Sequence, residues 1–143
     1  MYHERRERFR AHFAEGRCLI PASIFDPFSI RLAQDIGFEV GMVGGSSASL
    51  AVLGAPDLIV LTLTEFADQC RRMSRAADLP FAVDADHGYG NAMNVRRTVE
   101  ELEAAGVAAL SIEDTVLPLY HGQSGKELHR PESSALAAQR KPA

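Results

Sequence analysis

No stretch of this sequence approaches the roughly 18 apolar residues that a membrane-spanning helix needs. The start, MYHERRERFRAHF, is rich in arginine but has no apolar run behind it of the kind a secretory signal carries. An excess of positive charge is missing too: the net charge is -4 and no basic stripe interrupts it. That removes the electrostatic reason to expect nucleic acid or an anionic membrane as a partner. Cysteine is scarce, and Cys18 and Cys70 stand far apart in neither a CxxC nor a zinc-like spacing. They read as two reduced, partly buried thiols. These absences leave a soluble, cytoplasmic protein with a small-molecule partner as the expectation. What is present is 143 residues, 46% hydrophobic and 24% charged, enough for about one domain with a core.

Along the chain, apolar runs alternate with helical patterns. Residues 5–13 form a short surface helix with Phe9 and Phe13 on one face. Residues 18–22 are a short apolar run, after which Asp26 as N-cap, Pro27 at the first helical position and Gly37 as stop bracket a helix. Residues 40–45 repeat the apolar run. A glycine- and serine-rich turn and the loop GAPD follow, and Thr64 is placed as the cap of a helix over residues 65–77. Residues 81–86 read as a third strand. Asn91 caps a helix in which Ala92, Val95, Val99 and Leu102 keep the spacing of a buried stripe, and residues 107–113 are a fourth strand.

This alternation argues for a parallel sheet of βαβ units. In the third strand Ala82, Asp84 and Asp86 share a face, as Ala109, Ser111 and Glu113 do in the fourth, while Phe81, Val83, Leu110 and Ile112 take the opposite faces. Large apolar groups on one side with small and acidic groups on the other suit the wall and interior of a TIM barrel. No fifth strand follows, so the fold class is α/β, a partial (β/α)₈ barrel of about four strand-helix units. The expected division is an N-terminal helix over 1–16, the half-barrel over 17–114, and an active-site loop with a polar tail over 115–143.

The stretch FAVDADHGYGNAMN sets Asp84 and Asp86 where a strand runs out. With Glu113 they would converge at the barrel mouth, where carboxylate repulsion must be offset by a proton, a basic residue or a cation. Oxygen ligands without clustered histidine or cysteine favour Mg²⁺ before Mn²⁺. The competing reading is helix capping and surface charge. An EF-hand is excluded, because counting from Asp84 places Tyr89 at the sixth position and Val95 at the twelfth. Gly44, Gly45, Ser46 and Ser47 follow the second strand on the same rim, where exposed amides and a hydroxyl can hold a carboxylate, although a plain turn explains them equally well. Asp57 is either an N-cap or an outer carboxylate holding a metal-bound water. His87 should point away from the interior. His121 and His129 fall in the tail, and His3 and His12 in the first helix.

The motifs GGSSAS (44–49), GAPDLIVLTLTE (54–65), DADHGYGN (84–91) and SIEDTVLP (111–118), in this order and at these separations, resemble the isocitrate lyase and phosphoenolpyruvate mutase superfamily. The resemblance is nearest its oxaloacetate decarboxylase branch and runs over about residues 17–128. It implies a Mg²⁺-dependent barrel acting on a small 2-oxo acid, in full-length relatives a homo-oligomer, dimer or tetramer. It further implies Asp84 as the direct metal ligand, with Asp86, Glu113 and Asp57 holding the metal's waters, and Ser46 with the amides of Gly45 and Ser47 binding the substrate carboxylate. Where the family's lyases carry a Lys-Arg-Cys-Gly type sequence, this chain reads Pro118-Leu119-Tyr120-His121-Gly122. The proton-donating cysteine is absent, which points to decarboxylation of oxaloacetate. No catalytic residue is assigned beyond a minor candidacy of His121 for proton transfer. The alternatives are a 2-methylisocitrate or 2-alkylmalate lyase, and a non-catalytic half-barrel that self-associates. The family's later strands, which complete the pocket, are not in this chain.

Overall fold

A computed structural model describes residues 2–14, 16 and 18–115. Residues 1–112 form one compact unit and residues 113–143 a second. The expected loop and tail from residue 116 onward, His121 and His129 included, lie outside the described residues. Among those described, no helix is long and apolar enough to cross a membrane.

The first unit is a four-stranded, wholly parallel sheet in the order β1 (Ala22–Ser23), β2 (Gly41–Val43), β3 (Phe81–Asp84) and β4 (Ala109–Ser111). Ala22 lies opposite Gly41, Val43 opposite Val83, and Asp84 opposite Ser111. Helices α1 (His3–Ala14), α2 (Pro27–Ile36), α3 (Gly45–Leu53), α4 (Leu63–Ala76) and α5 (Ala92–Ala104) complete it. Sequential strands that are also neighbours, joined through helices, are the arrangement of a TIM barrel wall. The chain is therefore a partial (β/α)₈ barrel.

Strand alternation sorts the side chains as the sequence predicts. Val43, Phe81 and Val83 are fully buried, in one core cluster with Ile24, Ile30, Phe66, Cys70, Met73 and Leu102. Each such side chain contributes about 1.5–3 kcal/mol when it leaves water. Met42, Ala82 and Asp84, on the other face, are only half-buried. Phe66, Cys70 and Met73 come from one stripe of α4 at i, i+4 and i+7. Burial pushes the Cys70 thiol up to about 12. Cys18, expected to be partly buried, is exposed, and neither cysteine is in a disulfide.

The helix signals for α2 hold in full. The Asp26 carboxylate accepts from the Ser29 amide at 2.7 Å, Ser29 Oγ accepts from the Asp26 amide at 3.0 Å, and Gly37 closes the helix at φ 101°. Three other expectations shift. The glycine- and serine-rich turn is the helix α3, carried by Ala48, Leu50, Ala51 and Leu53 and ended by Gly54 in the left-handed conformation. The cap of α4 is Thr62 and not Thr64, because only Thr62 stands three residues before a glutamate, Glu65, whose carboxylate accepts from the Thr62 amide at 2.9 Å. The first strand is Ala22–Ser23, four residues later than the start of its apolar run, since pairing with Gly41 and Met42 fixes where the ladder begins.

At the N-terminal ends of the strands α1 is latched by arginines. Arg5 is buried, and its Nη2 donates to the carbonyls of Ser74 and Ala77 at 3.2 and 2.9 Å, at the end of α4. Arg6 donates to Val107 O at 3.2 Å, and Arg8 to the Asp78 carboxylate at 2.7 Å. Cations at helix carbonyl ends are favourable for charge and hydrogen bonding alike. Of the two phenylalanines expected to dock together, Phe9 is buried and Phe13 largely exposed.

Candidate active site

At the opposite ends of the strands, the chain between β3 and α5 takes a contorted path. Asp86, Gly88, Tyr89 and Gly90 have φ values of 45°, 74°, 63° and 146°. Glycine adopts such angles freely and aspartate tolerates them, but a bulky tyrosine there is a strained outlier. Strain of this kind costs of order 1–3 kcal/mol per residue and clusters at functional sites. Ile59, in the loop before α4, is likewise held at φ 59°.

This path changes the placement of the acidic pair. β3 ends at Asp84, so Asp86 does not follow the strand alternation assumed for it. Its backbone turns back, and the Asp86 amide donates to Asp84 Oδ1 at 3.0 Å. Asp84 is half-buried while Asp86 is only 3% exposed. The Asp86 carboxylate lies against Gly45, the first residue of α3, where an added Cβ would sit 2.5 Å from Oδ1. Gly45 is thus glycine for close approach, and what approaches is this chain's own carboxylate. Gly44, the N-cap of α3, supplies no side-chain cap. A negative charge beside that end meets the positive pole of the helix.

The remaining predicted residues divide. Ser46 donates through Oγ to Asp57 Oδ2 at 3.2 Å, which ties the rim of α3 to the loop before α4. Asp57 is not an N-cap, a role that belongs to Thr62. Ser47 lines a different hollow of about 710 Å³, with Ser23, Phe25, Leu50 and Gln69. Glu113 lies beyond β4, which ends at Ser111, and belongs to the second unit, where its carboxylate accepts from Thr115 Oγ1 at 3.1 Å. His87 is half-buried with its ring 5.4 Å from that of Tyr89.

Sequence reading passed over Tyr89. Its ring packs 6.2 Å from Phe66, and its hydroxyl is buried with no hydrogen-bond partner among the described residues. Burial raises its pKa most, and the charges of Asp86, Cys70, Asp84 and Asp57 raise it further. One phenol therefore feels Asp84, Asp86 and Asp57 together. The only advance signal was the pair of glycines around it, which permits an unusual turn without specifying where the tyrosine goes.

Among the described residues, no group of three or more His, Cys, Asp or Glu side chains is placed to hold a metal ion. Asp84, Asp86 and Asp57 act electrostatically on Tyr89, as does the Cys70 thiol, and carboxylate oxygens are the donors that a hard ion prefers. Mg²⁺ is such an ion, and it gives up its waters reluctantly.

Residues 9–141 match the phosphoenolpyruvate phosphomutase family. An oxaloacetate decarboxylase of Rhodopseudomonas palustris (strain BisB18) is 63% identical over 127 residues, covering 89% of this chain and 44% of the relative. The phosphoenolpyruvate phosphomutase from Streptomyces platensis subsp. rosaceus superposes with a TM-score of 0.77 at 36% identity, over 96% of this chain and 50% of that one. A phosphonopyruvate hydrolase solved with oxalate and Mg²⁺ gives 0.77 at 28% identity, over 96% and 49%. The chain spans about half the length of the relatives it matches.

Proposed function

We infer that this chain, which belongs to the phosphoenolpyruvate phosphomutase family, carries the metal and carboxylate-binding half of a Mg²⁺-dependent cytoplasmic carboxy-lyase for a small 2-oxo dicarboxylate. The reaction that fits best is decarboxylation of oxaloacetate to pyruvate and CO₂. The observation that supports this most directly is that the Asp86 carboxylate lies against Gly45 at the amide end of α3, with Asp84 accepting from the Asp86 amide and Asp57 from Ser46 Oγ, at the ends of the strands where TIM barrels do their chemistry. The likeness to relatives named oxaloacetate decarboxylase supports the choice of substrate.

Each residue has a task in that reading. Asp84 is the direct metal ligand, oriented by the hydrogen bond from the Asp86 amide. Asp86 and Asp57 hold the ion's waters. A bound Mg²⁺ supplies Lewis acidity to the substrate's keto oxygen. The amides of Gly45 and Ser47 anchor a substrate carboxylate, joined by the Ser46 hydroxyl when it turns from Asp57, to which it donates in the absence of substrate. Decarboxylation then breaks the bond between C3 and the departing carboxylate. The electron pair remains with the C2–C3 oxo unit, and C3 takes up a proton after CO₂ has left.

The test compares the purified chain and an Asp84→Ala variant with oxaloacetate and Mg²⁺, against Mg²⁺ alone. The expected result is decarboxylation above the metal background that the variant loses. Equal rates for both proteins at the background level would overturn the activity for this chain, and unchanged Mg²⁺ uptake by the variant in calorimetry would overturn the ligand assignment.

A further inference from the structure

We propose that the hydrogen bond between Ser46 and Asp57 is a clasp that a substrate carboxylate opens, so that arrival of the carboxylate releases Asp57 to the metal. The proposal rests on the metal and carboxylate reading of this site and adds the order in which its parts engage.

The first observation is one donor with two claims on it. A serine hydroxyl carries a single O–H, and here it is committed to Asp57 Oδ2. Ser46 is the second residue of α3, a helix whose N-cap, Gly44, makes no side-chain bond to the first-turn amides. Amides at such an end take an anion readily. A carboxylate that settles there gains the Ser46 hydroxyl only by displacing Asp57. The bond to be displaced is long, 3.2 Å against about 2.5–3.0 Å for an ordinary O–H···O contact.

The second observation is strain beside the clasp. Asp57 belongs to the irregular segment 54–62 that joins α3 to α4. Ile59, two residues on, sits at φ 59°, where a β-branched side chain is an outlier. Strain of this sort persists only where the surroundings hold it. On the far side the chain is fixed, because Leu61 is buried and the Thr62 hydroxyl donates to Glu65 Oε2 at 2.7 Å. On the near side Gly54 ends α3 at φ 63° and Ser46 holds Asp57. Of these restraints the Ser46 bond is the one a ligand can remove. A hydrogen bond to a charged group and the strain of one residue are of similar size. They largely offset each other, so a modest difference in ligand affinity tips the balance.

The third observation is what lies across α3 from the clasp. Asp84 accepts from the Asp86 amide, and the Asp86 carboxylate lies against Gly45, the residue before Ser46. Release from Ser46 lets Asp57 turn toward that pair and complete the set around the ion. Carboxylate and cation then favour each other's binding through the same open clasp.

The test is calorimetry on the full chain with two probes used separately, oxalate without metal and Mg²⁺ without a carboxylate, so that the probes cannot chelate each other. Ser46→Ala should bind Mg²⁺ at least about fivefold more tightly than wild type and oxalate less tightly. Ser46→Thr keeps the hydroxyl and should match wild type. Asp57→Ala should show the reverse, with oxalate tighter and Mg²⁺ weaker. Asp57→Asn removes the same charge but keeps an oxygen that accepts from Ser46, so it should gain less for oxalate than Asp57→Ala. If circular dichroism finds Ser46→Ala unfolded, the two Asp57 variants decide in its place. A Ser46→Ala chain that binds both probes more weakly, or Mg²⁺ no better, would make the bond a structural brace and overturn the proposal. Equal oxalate affinity in the two Asp57 variants would overturn it as well, and in either case wild-type uptake of both probes would leave the reading of the site standing. Wild type that binds neither probe would overturn both.

Discussion

At the N-terminal ends of the strands, Arg5, Arg6 and Arg8 reach from α1 to carbonyls and carboxylates that need donors, and the chain there turns without strain. At the C-terminal ends, two non-glycine residues of one loop sit at positive φ, a buried phenol lacks a partner among the described residues, and a carboxylate fills the space a Cβ would take. The first end pairs its carbonyls with arginine donors, leaving only Arg5 Nη1 buried without a partner among the described residues of that latch. The second holds polar groups in positions that cost energy, and the cost is tolerable because the rest of the unit fixes the backbone. Latching contacts and strained positions are thereby separated along the strand axis, the axis along which barrels of this kind separate stability from chemistry.

The sharpest way to break this contrast is at the stable end. Arg5→Ala leaves the carbonyls of Ser74 and Ala77 without their donor and should cost about 2–3 kcal/mol in urea unfolding. Calorimetric Mg²⁺ affinity measured under folding conditions should stay as it was. A tenfold fall in affinity would show that the two ends are not separate.

Gly45→Ala tests the other end. Its Cβ would meet the Asp86 carboxylate at 2.5 Å, and overpacking of this sort costs about 1–3 kcal/mol. Here the Mg²⁺ affinity should fall together with stability. Tyr89→Phe should move stability the opposite way, upward by about 1 kcal/mol, because it deletes a buried hydroxyl with no hydrogen-bond partner among the described residues. Destabilisation in the same urea assay would mean that the hydroxyl is bonded in solution.

The smallest effect belongs to the cap of α4. Its bonds with Thr62 lower the Glu65 pKa. A depressed folded-state pKa means that the carboxylate's contribution is complete above its unfolded value and is lost as pH falls through the folded one. Wild type should therefore lose slightly more stability than Glu65→Gln between about pH 6 and about pH 3, since the amide keeps a capping box without titrating.

How much of this was legible in the sequence follows from the range of the forces involved. Asp26, Pro27 and Gly37 act on their own neighbours, so the ends of α2 could be read directly. The two faces of β3 were equally plain, because alternation is a local rule. Helix α3 was hidden because serine and glycine are weak helix formers, and what holds Ala48 and Ser49 in a helix is burial against the rest of the unit. Asp84, Asp86, Ser46 and Asp57 were named as site residues from motifs alone. Their arrangement was not foreseeable, because β3 ends at Asp84 and Asp86 stands in a turn at φ 45°, where strand alternation no longer says where a side chain goes.

The fit between Gly45 and Asp86 constrains how this chain can change. One has no side chain because the other needs the room, so the two positions act as a lock and its key cut from the same metal. A branching lineage can keep both or remodel both, and a sequence that gains a side chain at 45 while still carrying aspartate at 86 would have to turn that carboxylate away from the start of α3.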